Sequence, residues 1–292
     1  MSLSVVTVIH DSAGPLERMF GSLELLGSPA PEVICVDSGS SDDGAEIAAR
    51  AGATVISLEG NPGFGAACNA GVAAAGGEAC ALLNPDTRLL DDGLLRLADI
   101  ASQSRAILAP RLLNPDGSLQ SSAYPVPGGT GALAGAFLPP RLLPAPVAVR
   151  LEPFRSAAPV VVGWAIGACL VASTRLFREL GPFDPGAFLY AEDMDLCLRA
   201  RAAGAAVVYR PDVEVIHEGG HSTEAAFGEL PRLEMQARRR REVVGSQLGA
   251  PAVRRDDLAE TATYGLRALV GRRRRENLAK LRALREAQKS PS

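Results

Sequence analysis

The strongest constraint on the fold is an alternation of strand and helix patterns across the first hundred residues. Four apolar or β-branched runs predict strands over Leu3–Ile9, 32–36, 54–58 and Ala79–Leu83, and helical patterns follow the first two. Strands that alternate with helices form a parallel sheet with helices packed on its faces. In such sheets ligands bind beyond the carboxyl ends of the strands. The pattern therefore predicts an α/β protein with a ligand site at one edge of its sheet.

Polar side chains stand where two of the predicted strands end. Asp37 follows the second strand, and the turn Asn84-Pro85-Asp86 follows the fourth. Asp37 could simply cap the following turn, and Asn-Pro-Asp could be an ordinary turn. Both groups nevertheless lie at the sheet edge where a ligand is expected.

A second acidic group comes later, where Glu192, Asp193 and Asp195 open a helix predicted over 191–203. The helix dipole favours acids at this position, so a structural role would also explain them. His217, on an apolar strand pattern, also fits a hydrogen-bonded core histidine.

One chemistry would use all these groups, from Asp37 to His217. Sugar transfer from a nucleoside diphosphate needs a divalent cation on oxygen ligands and a carboxylate that deprotonates the acceptor hydroxyl.

The motifs resemble those of the family-two glycosyltransferases of the GT-A fold, particularly the rhamnosyltransferase-like branch. The matching segments are VDSGSSD (36–42), NPGFGAACNAG (61–71), LNPD (83–86), GWAIGA (163–168), GPFD (181–184), FLYAEDMDLCLR (188–199) and a stretch over 204–222 that ends in HEGGHS. Each motif alone is weak, but their number and order make the match over 3–222 specific. The chain departs from the family where Ile9-His10-Asp11 replaces the common Thr-Tyr-Asn, which leaves contacts from this segment to the nucleobase open.

The resemblance implies one GT-A domain over 1–225, with an open, mostly parallel sheet flanked by helices, and a basic helical extension over 226–292. It also implies inverting sugar transfer by direct displacement at the anomeric carbon. The implied catalytic residues are the acids at the helix start, with Asp193 as general base and with Glu192 and Asp195 supporting the acceptor site. Trp164, which could also be a core residue, is the implied acceptor-side platform.

The resemblance also implies a donor site and a metal site. The implied nucleotide-binding residues lie at strand ends and in a loop expected over 61–69, and they are Asp37, Asn61, Gly63, Phe64, Asn69 and Asn84. The implied cofactor is Mg²⁺ or Mn²⁺, held by Asp86 with help from Asn84 and His217. The implied donor is a dTDP-sugar, above all dTDP-rhamnose, or a UDP-sugar. The implied acceptor is a saccharide, either free or linked to a polyprenyl lipid.

Charge is divided unevenly along the chain. Residues 232–292 carry 16 Lys and Arg against 7 Asp and Glu, with arginine clusters at 238–241 and 272–275. Apolar residues recur there at three- and four-residue spacing: Leu258, Leu266, Leu269, Val270, Leu278, Leu281 and Leu284. Such a segment either docks on an anionic membrane surface or packs on the acidic body of the enzyme or a second subunit, as in a homodimer.

The N-terminal sequence lacks the pattern of a signal peptide, and no run of about 18 apolar residues occurs. These features predict a cytoplasmic enzyme, in peripheral contact with the inner face of the membrane if the basic extension docks there. An acidic body argues against nucleic acid as a partner.

Two other functions remain open from the sequence alone. A dinucleotide-dependent oxidoreductase shares the α/β alternation, but its glycine fingerprint follows the first strand. Here the segment Gly63-Phe64-Gly65-Ala66-Ala67-Cys68 lacks the third glycine and follows the third strand. A non-catalytic membrane or nucleic-acid adaptor would explain the basic extension but not the ordered acids.

Overall fold

The computed structural model describes residues 2–137, 143–181, 183–184, 189–219, 229–271 and 273–289. The predicted boundary between residues 225 and 226 lies outside the described residues. So do Phe188, Arg272 and the final motif residues, 220–222. No helix within the described ranges is both long and apolar enough to cross a bilayer.

Strands and helices alternate as predicted through the first part of the chain. The described strands are β1 (Leu3–Ile9), β2 (Glu32–Asp37), β3 (Thr54–Ser57), β4 (Ala79–Leu83), β5 (Thr87–Leu89), β6 (Ala106–Leu113), β7 (Ala123–Tyr124), β8 (Val160–Val161), β9 (Trp164–Ala165), β10 (Cys169–Ser173) and β11 (Ala206–His217). The described α-helices are α1 (Ala13–Leu23), α2 (Gly44–Arg50), α3 (Phe64–Ala74), α4 (Gly93–Ser102), α5 (Thr130–Phe137), α6 (Ala145–Leu151), α7 (Thr174–Leu180), α8 (Glu192–Ala202), α9 (Glu229–Leu248), α10 (Ala250–Leu269) and α11 (Arg274–Lys289).

The main sheet has the strand order β3-β2-β1-β4-β10-β6-β11-β5, and β8 pairs with β11. The pairings make β1, β2, β3, β4, β6 and β11 run in one direction, whereas β5, β8 and β10 oppose them. The sheet is therefore mixed and mostly parallel, as predicted. The carboxyl ends of β1, β2 and β4 meet at one edge, which brings the residues that follow these strands to that edge.

Helices cover both faces of the sheet because successive strand side chains point to opposite sides. On one face Val5 of β1 belongs to the same buried cluster as Leu97 of α4. On the other face Val6 clusters with Val72 of α3 and Leu196 of α8. Packing of α8 on this second face holds its acidic N-terminal turn in place.

The loop predicted over 61–69 is wrong in its second half. Gly63 has a φ of 97°, a backbone conformation that favours glycine, and α3 begins at Phe64 directly after it. Small residues that lack β-branching, among them Ala66 and Ala67, then continue the helix. Asn69 therefore lies on α3 and not in a loop.

The C-terminal helices pack on the body of the enzyme, which was one of the two interpretations of the basic extension. Val243 and Val244 of α9 form a buried cluster with Met194 and Leu198 of α8. The predicted apolar stripe is divided, because Leu284 is buried and Leu281 is half-buried. Its other members are exposed: Leu258, Leu266, Leu269, Val270 and Leu278.

Substitution of Gly71 tests the contact between α3 and the sheet. A Cβ at this position would lie 2.3 Å from Val6 Cγ1 and 3.1 Å from Val36 Cγ2. We expect Gly71→Ala to lower the free energy of unfolding by roughly 1–3 kcal/mol, the usual cost of overpacking a core. Chemical denaturation measures this change.

Gly21→Ala is the matched control, since Gly21 is also helical and its Cβ would meet no atom within 4 Å. This variant should gain roughly 0.5–1 kcal/mol from helix propensity. Equal stabilisation by both substitutions would contradict the packing assigned to Gly71.

Candidate active site

The turns after β1 and β2 are joined at the predicted ligand edge. Asp37 is half-buried at the end of β2, and its Oδ1 accepts a hydrogen bond from the Ser40 N–H at 2.9 Å. Asp11, after β1, accepts hydrogen bonds from the backbone N–H and hydroxyl of Ser41 at 2.7 and 3.0 Å. The bond from the Ser41 N–H is the main cause that keeps the pKa of Asp11 below its ordinary value. From the sequence, contacts of the Ile9-His10-Asp11 segment with the nucleobase were left open, and the structure places Asp11 beside the end of β2.

Asn61 fixes the loop after β3 to the end of β2. Its side-chain oxygen accepts hydrogen bonds from the Ser38 hydroxyl at 3.1 Å and from the Gly63 N–H at 3.0 Å. This arrangement places Asn61 and Gly63 beside the end of β2. Their contacts with a nucleotide remain predictions.

Phe64 and Asn69 both contact Phe183. The rings of Phe64 and Phe183 meet edge to face, with centroids 5.9 Å apart. The Asn69 amide donates to the Phe183 carbonyl at 2.8 Å and accepts from the Phe183 N–H at 2.9 Å. Both residues therefore anchor the segment that precedes the acidic group, and their nucleotide-binding roles remain predictions.

Asp86 and His217 come together as predicted. Asp86 Oδ1 lies 3.4 Å from His217 Nε2, and Asp86 Oδ2 accepts a hydrogen bond from the Gly219 N–H at 3.0 Å. His217 Nδ1 lies 2.8 Å from Gln120 Oε1. Burial raises the pKa of Asp86, but the His217 imidazole and the Gly219 N–H outweigh it and lower the pKa below its ordinary value.

The Asn84-Pro85-Asp86 turn contains side-chain oxygen atoms whose hydrogen-bonding capacity is not filled. Asn84 Oδ1 and Asp86 Oδ1 are buried, and neither accepts a hydrogen bond of good geometry within the described part of the chain. Asp86 Oδ1 has only the 3.4 Å contact with His217 Nε2. Hard oxygens with unfilled capacity beside an imidazole nitrogen fit a divalent cation. No group of three or more His, Cys, Asp or Glu side chains suited to a metal occurs among the residues described. These residues could therefore supply only part of a coordination shell.

Asp193 is held at the start of α8 by backbone hydrogen bonds. Its Oδ2 accepts from the Gly167 N–H at 2.9 Å, and its Oδ1 accepts from the Met194 N–H at 2.7 Å. Burial raises the pKa of Asp193 above its ordinary value despite these bonds. Burial, reinforced by the charge of Asp193, also raises the pKa of Glu192, and Glu192 Oε2 has no hydrogen-bond partner in the described ranges. The two acids thus form a half-buried pair that resists double ionisation.

The backbone before this pair is strained. Tyr190 and Ala191 have φ values of 71° and 59°, in the left-handed region that side chains disfavour. Such residues cost roughly 1–3 kcal/mol each, and they cluster at functional sites. The strained turn leads directly into α8, whose first two residues are Glu192 and Asp193.

Asp195 differs from its two neighbours because both of its oxygens accept hydrogen bonds from side chains. Oδ2 accepts from Arg199 Nε at 2.7 Å, and Oδ1 accepts from Gln247 Nε2 at 2.9 Å. Asp195 therefore links α8 to α9. The predicted support of the acceptor site by Asp195 would therefore be indirect, through the contact between α8 and α9, because its carboxylate is not free.

Trp164 stands between the body and the C-terminal helices. Its ring stacks on Tyr124 with centroids 4.4 Å apart, and the Arg240 guanidinium lies 6.0 Å from its ring centroid. Trp164 and Asp193 line one cavity of about 940 Å³, whose other wall includes Arg240 and Tyr264 of the C-terminal helices. Trp164 is thus half-buried at the cavity wall, where its role as acceptor platform remains a prediction.

Arg240 is a site residue that sequence analysis missed. It donates to both oxygens of the buried Asp256 at 2.7 and 2.9 Å, and Asp256 also accepts from the Gly128 N–H at 3.1 Å. The sequence did not single it out, because Arg240 belongs to the arginine cluster at 238–241, for which both membrane docking and packing on protein were left open. Two others of that cluster are also paired, Arg239 with Glu242 and Arg241 with Asp257.

Comparison with known proteins decides the family. A model described as Glycosyl transferase family 2 matches residues 4–124, and one described as Glycosyl transferase family group 2 matches residues 149–275. A Mycobacterium tuberculosis protein named N-acetylglucosaminyl-diphospho-decaprenol L-rhamnosyltransferase is 35% identical over 243 residues, which are 76% of this chain and 77% of the relative. The chain belongs to glycosyltransferase family 2. It is a nucleotide-sugar-dependent glycosyltransferase similar to rhamnosyltransferases, as the motifs predicted.

Solved structures support the fold of this glycosyltransferase. The mannosyltransferase PcManGT from Pyrobaculum calidifontis, in complex with GDP-Man and Mn²⁺, matches with a TM-score of 0.59 and 14% identity over 99% of this chain and 76% of that one. S. aureus TarS 1-349, in complex with UDP-GlcNAc, matches with a TM-score of 0.57 and 16% identity over 100% of this chain and 82% of that one. At such low identity these matches concern the fold alone, and the predicted GT-A fold is confirmed.

Proposed function

We propose that this glycosyltransferase moves a sugar, with inversion, from a nucleotide sugar to a hydroxyl group of a lipid-linked saccharide, and that Asp193 is the general base. The observation that carries the proposal is the position of Asp193, which is fixed by the Gly167 N–H on the wall of the cavity that Trp164 also lines. The name of the M. tuberculosis relative supports rhamnose as the sugar and a diphospho-polyprenyl acceptor. We take dTDP-rhamnose as the preferred donor and a UDP-sugar as the alternative.

The mechanism is a single displacement. Asp193 takes the proton of the acceptor hydroxyl while the hydroxyl oxygen attacks the anomeric carbon on the face opposite the diphosphate. The bond from that carbon to the diphosphate oxygen breaks in the same step, so the configuration inverts. The raised pKa of Asp193 makes its carboxylate a stronger base than that of an exposed aspartate.

Asp193→Asn tests the general base. The amide keeps the size of the side chain but cannot take a proton, so we expect transfer to fall by roughly two to four powers of ten. Donor binding and the melting temperature should stay near those of the unchanged enzyme. The base is active when it is deprotonated, and its pKa is raised. As the pH falls, transfer should therefore decline at a higher pH than that at which an ordinary aspartate becomes protonated. Near-normal transfer by Asp193→Asn would contradict the assignment of Asp193 as the general base.

Asp195→Asn is the matched control on the same helix turn. It weakens the ion pair with Arg199 and leaves Asp193 in place. The melting temperature should therefore fall, while the rate of transfer per folded molecule changes less than tenfold. A loss of catalysis as large as that of Asp193→Asn, without destabilisation, would make Asp195 the better candidate for the base.

A divalent cation, Mg²⁺ or Mn²⁺, supplies charge that neutralises the diphosphate leaving group. Asp86 Oδ1 and Asn84 Oδ1 are the oxygens with unfilled capacity that would hold it, together with His217 Nε2. With a metal bound, a hydrogen on His217 Nδ1 donated to Gln120 Oε1 would leave the Nε2 lone pair for the metal in place of the contact with Asp86 Oδ1. Mn²⁺ in the structure of the mannosyltransferase supports this cofactor class.

Thermal-shift titration with Mn²⁺ in the presence of UDP or dTDP tests the metal site without an activity assay. We expect Asp86→Ala to weaken Mn²⁺ binding by at least about tenfold, the loss that even an outer-shell partner causes. Asp92→Ala is the control, since Asp92 forms only an exposed pair with Arg96. Unchanged Mn²⁺ binding by Asp86→Ala, or full transfer in excess chelator, would contradict the proposed site.

We place the membrane contact of the enzyme at the turn between α10 and α11. Leu269 and Val270 are 83% and 77% exposed at the end of α10, and exposed Arg273, Arg274 and Arg275 follow them. An apolar tip beside several arginines suits an anionic bilayer, where each Lys or Arg contributes about 1 kcal/mol. The cluster at 238–241, in contrast, is largely paired within the protein.

Co-sedimentation with anionic liposomes tests this contact. We expect Leu269→Glu/Val270→Glu to lower the partition coefficient by at least about tenfold, since burial of one such side chain contributes roughly 1.5–3 kcal/mol. Leu258→Glu is the control, because Leu258 is exposed on the same helix. Equal sedimentation of the tip variant and the unchanged chain would place the contact elsewhere. Dimerisation that the tip substitutions abolish would assign the tip to a second subunit.

A further inference from the structure

The residues that line the cavity beside Asp193 differ in exposure, and we name two parts of the cavity accordingly. The inner part is lined by the half-buried Trp164, Asp193 and Arg240, and the outer part by the exposed Arg267 and Arg273 with their neighbours. In the inner part, Arg240 pairs with Asp256 and lies 3.8 Å from Glu260, so its charge is matched. Arg240 and Asp256 are mostly buried, with side-chain exposures of 24% and 5%. The inner part therefore combines aromatic surface with neutralised charge, which suits the uncharged ring of a sugar.

The outer part of the same cavity carries excess positive charge. Arg267, Arg273 and Lys280 line the cavity, and Glu276, which also lines it, is the acid that forms ion pairs with two of them. Lys280 and Arg273 share this single acid, at 2.6 and 3.6 Å. Arg267 is exposed and forms no ion pair with any residue in the described ranges. The outer rim, defined as Arg267, Arg273 and Lys280, therefore carries three cationic side chains around one acid, Glu276, and this excess positive charge can bind an anion.

We infer that the outer rim binds the diphosphate of a lipid-linked acceptor, an inference that rests on the proposed function. Guanidinium and ammonium groups bind phosphate oxygens through charge-assisted hydrogen bonds. A sugar linked through diphosphate to a lipid has three parts in a fixed order. The protein offers a surface of matching chemistry for each part: the inner cavity at Asp193, the outer rim, and the exposed apolar residues Leu269 and Val270, which follow Arg267 in the chain.

The inference gives the C-terminal helices a direct role in acceptor selection. Arg267 lies near the end of α10 and Arg273 just before α11, so one turn carries both the rim and the apolar tip. The donor also contains a diphosphate, but that group is assigned to the turn of Asp86 and not to this rim. Rim and donor site are thus separable by their substrates.

The experiment compares two acceptors with the full-length variant Arg267→Ala/Arg273→Ala. One acceptor is N-acetylglucosamine linked through diphosphate to a polyprenol, and the other is an alkyl glycoside of N-acetylglucosamine without diphosphate. We expect KM for the diphosphate acceptor to rise at least about tenfold, because a hydrogen bond to a charged group contributes roughly that factor or more. KM for the alkyl glycoside and KM for the donor should change less than twofold.

Arg254→Ala is the matched control, since Arg254 is an exposed arginine on the same helix that does not line the cavity. A second readout is competitive inhibition by farnesyl diphosphate, whose Ki should rise with the rim variant and not with Arg254→Ala. An equal change of KM for both acceptors, a raised KM for the donor, or an unchanged Ki would overturn the inference while the proposed function stands. Absence of transfer to either acceptor by the unchanged enzyme would instead overturn the proposed function.

Discussion

The hydrogen bond from the Gly167 N–H to Asp193 Oδ2 is the interaction on which the site depends. It fixes the first turn of α8 to the segment that leads into β10. A Cβ at Gly167 would lie 3.3 Å from the Asp193 Cβ, so a larger residue would push the two segments apart. The adjacent carbonyl of Ala168 accepts from the Asn84 N–H at 2.9 Å. The proposed general base and the candidate metal turn are thereby tied to the same edge of the sheet.

This arrangement lowers the stability of the folded state, and contacts elsewhere in the structure have to offset that loss. Burial raises the pKa of both Glu192 and Asp193, which means that folding disfavours their charged forms. The positive φ angles of Tyr190 and Ala191 add backbone strain directly before them. Packing of α9 on α8, and the link from Gln247 to Asp195, offset these costs. The C-terminal helices are therefore part of the active-site architecture.

The sequence was informative where the chemistry lies at strand ends. Asp37 and Asp86 could be placed in this way, because strand order alone brings the carboxyl ends of parallel strands together. Asp193 needed the family resemblance, since an acid at a helix start is more commonly structural. The loop expected over 61–69 was wrong because glycine and proline at its start concealed a helix that begins directly after Gly63.

The sequence left the role of the C-terminal helices open between membrane docking and packing on protein. Only tertiary contacts show that Arg240 is half-buried, paired with Asp256 and beside Trp164. These partners are distant from one another in the chain, and no local pattern marks them. The exposed residues Leu269 and Val270 fitted the same helical periodicity as the buried Leu284, so spacing did not distinguish packing from exposure.

The central claim is that one carboxylate, Asp193, assists a single displacement at the anomeric carbon. The most direct test is the anomeric configuration of the product, measured by NMR from the one-bond carbon–hydrogen coupling of the transferred sugar. The mechanism predicts a configuration opposite to that of the sugar in the donor, with a single product anomer. Retention of the donor configuration would require a second displacement, and it would contradict the mechanism built around Asp193.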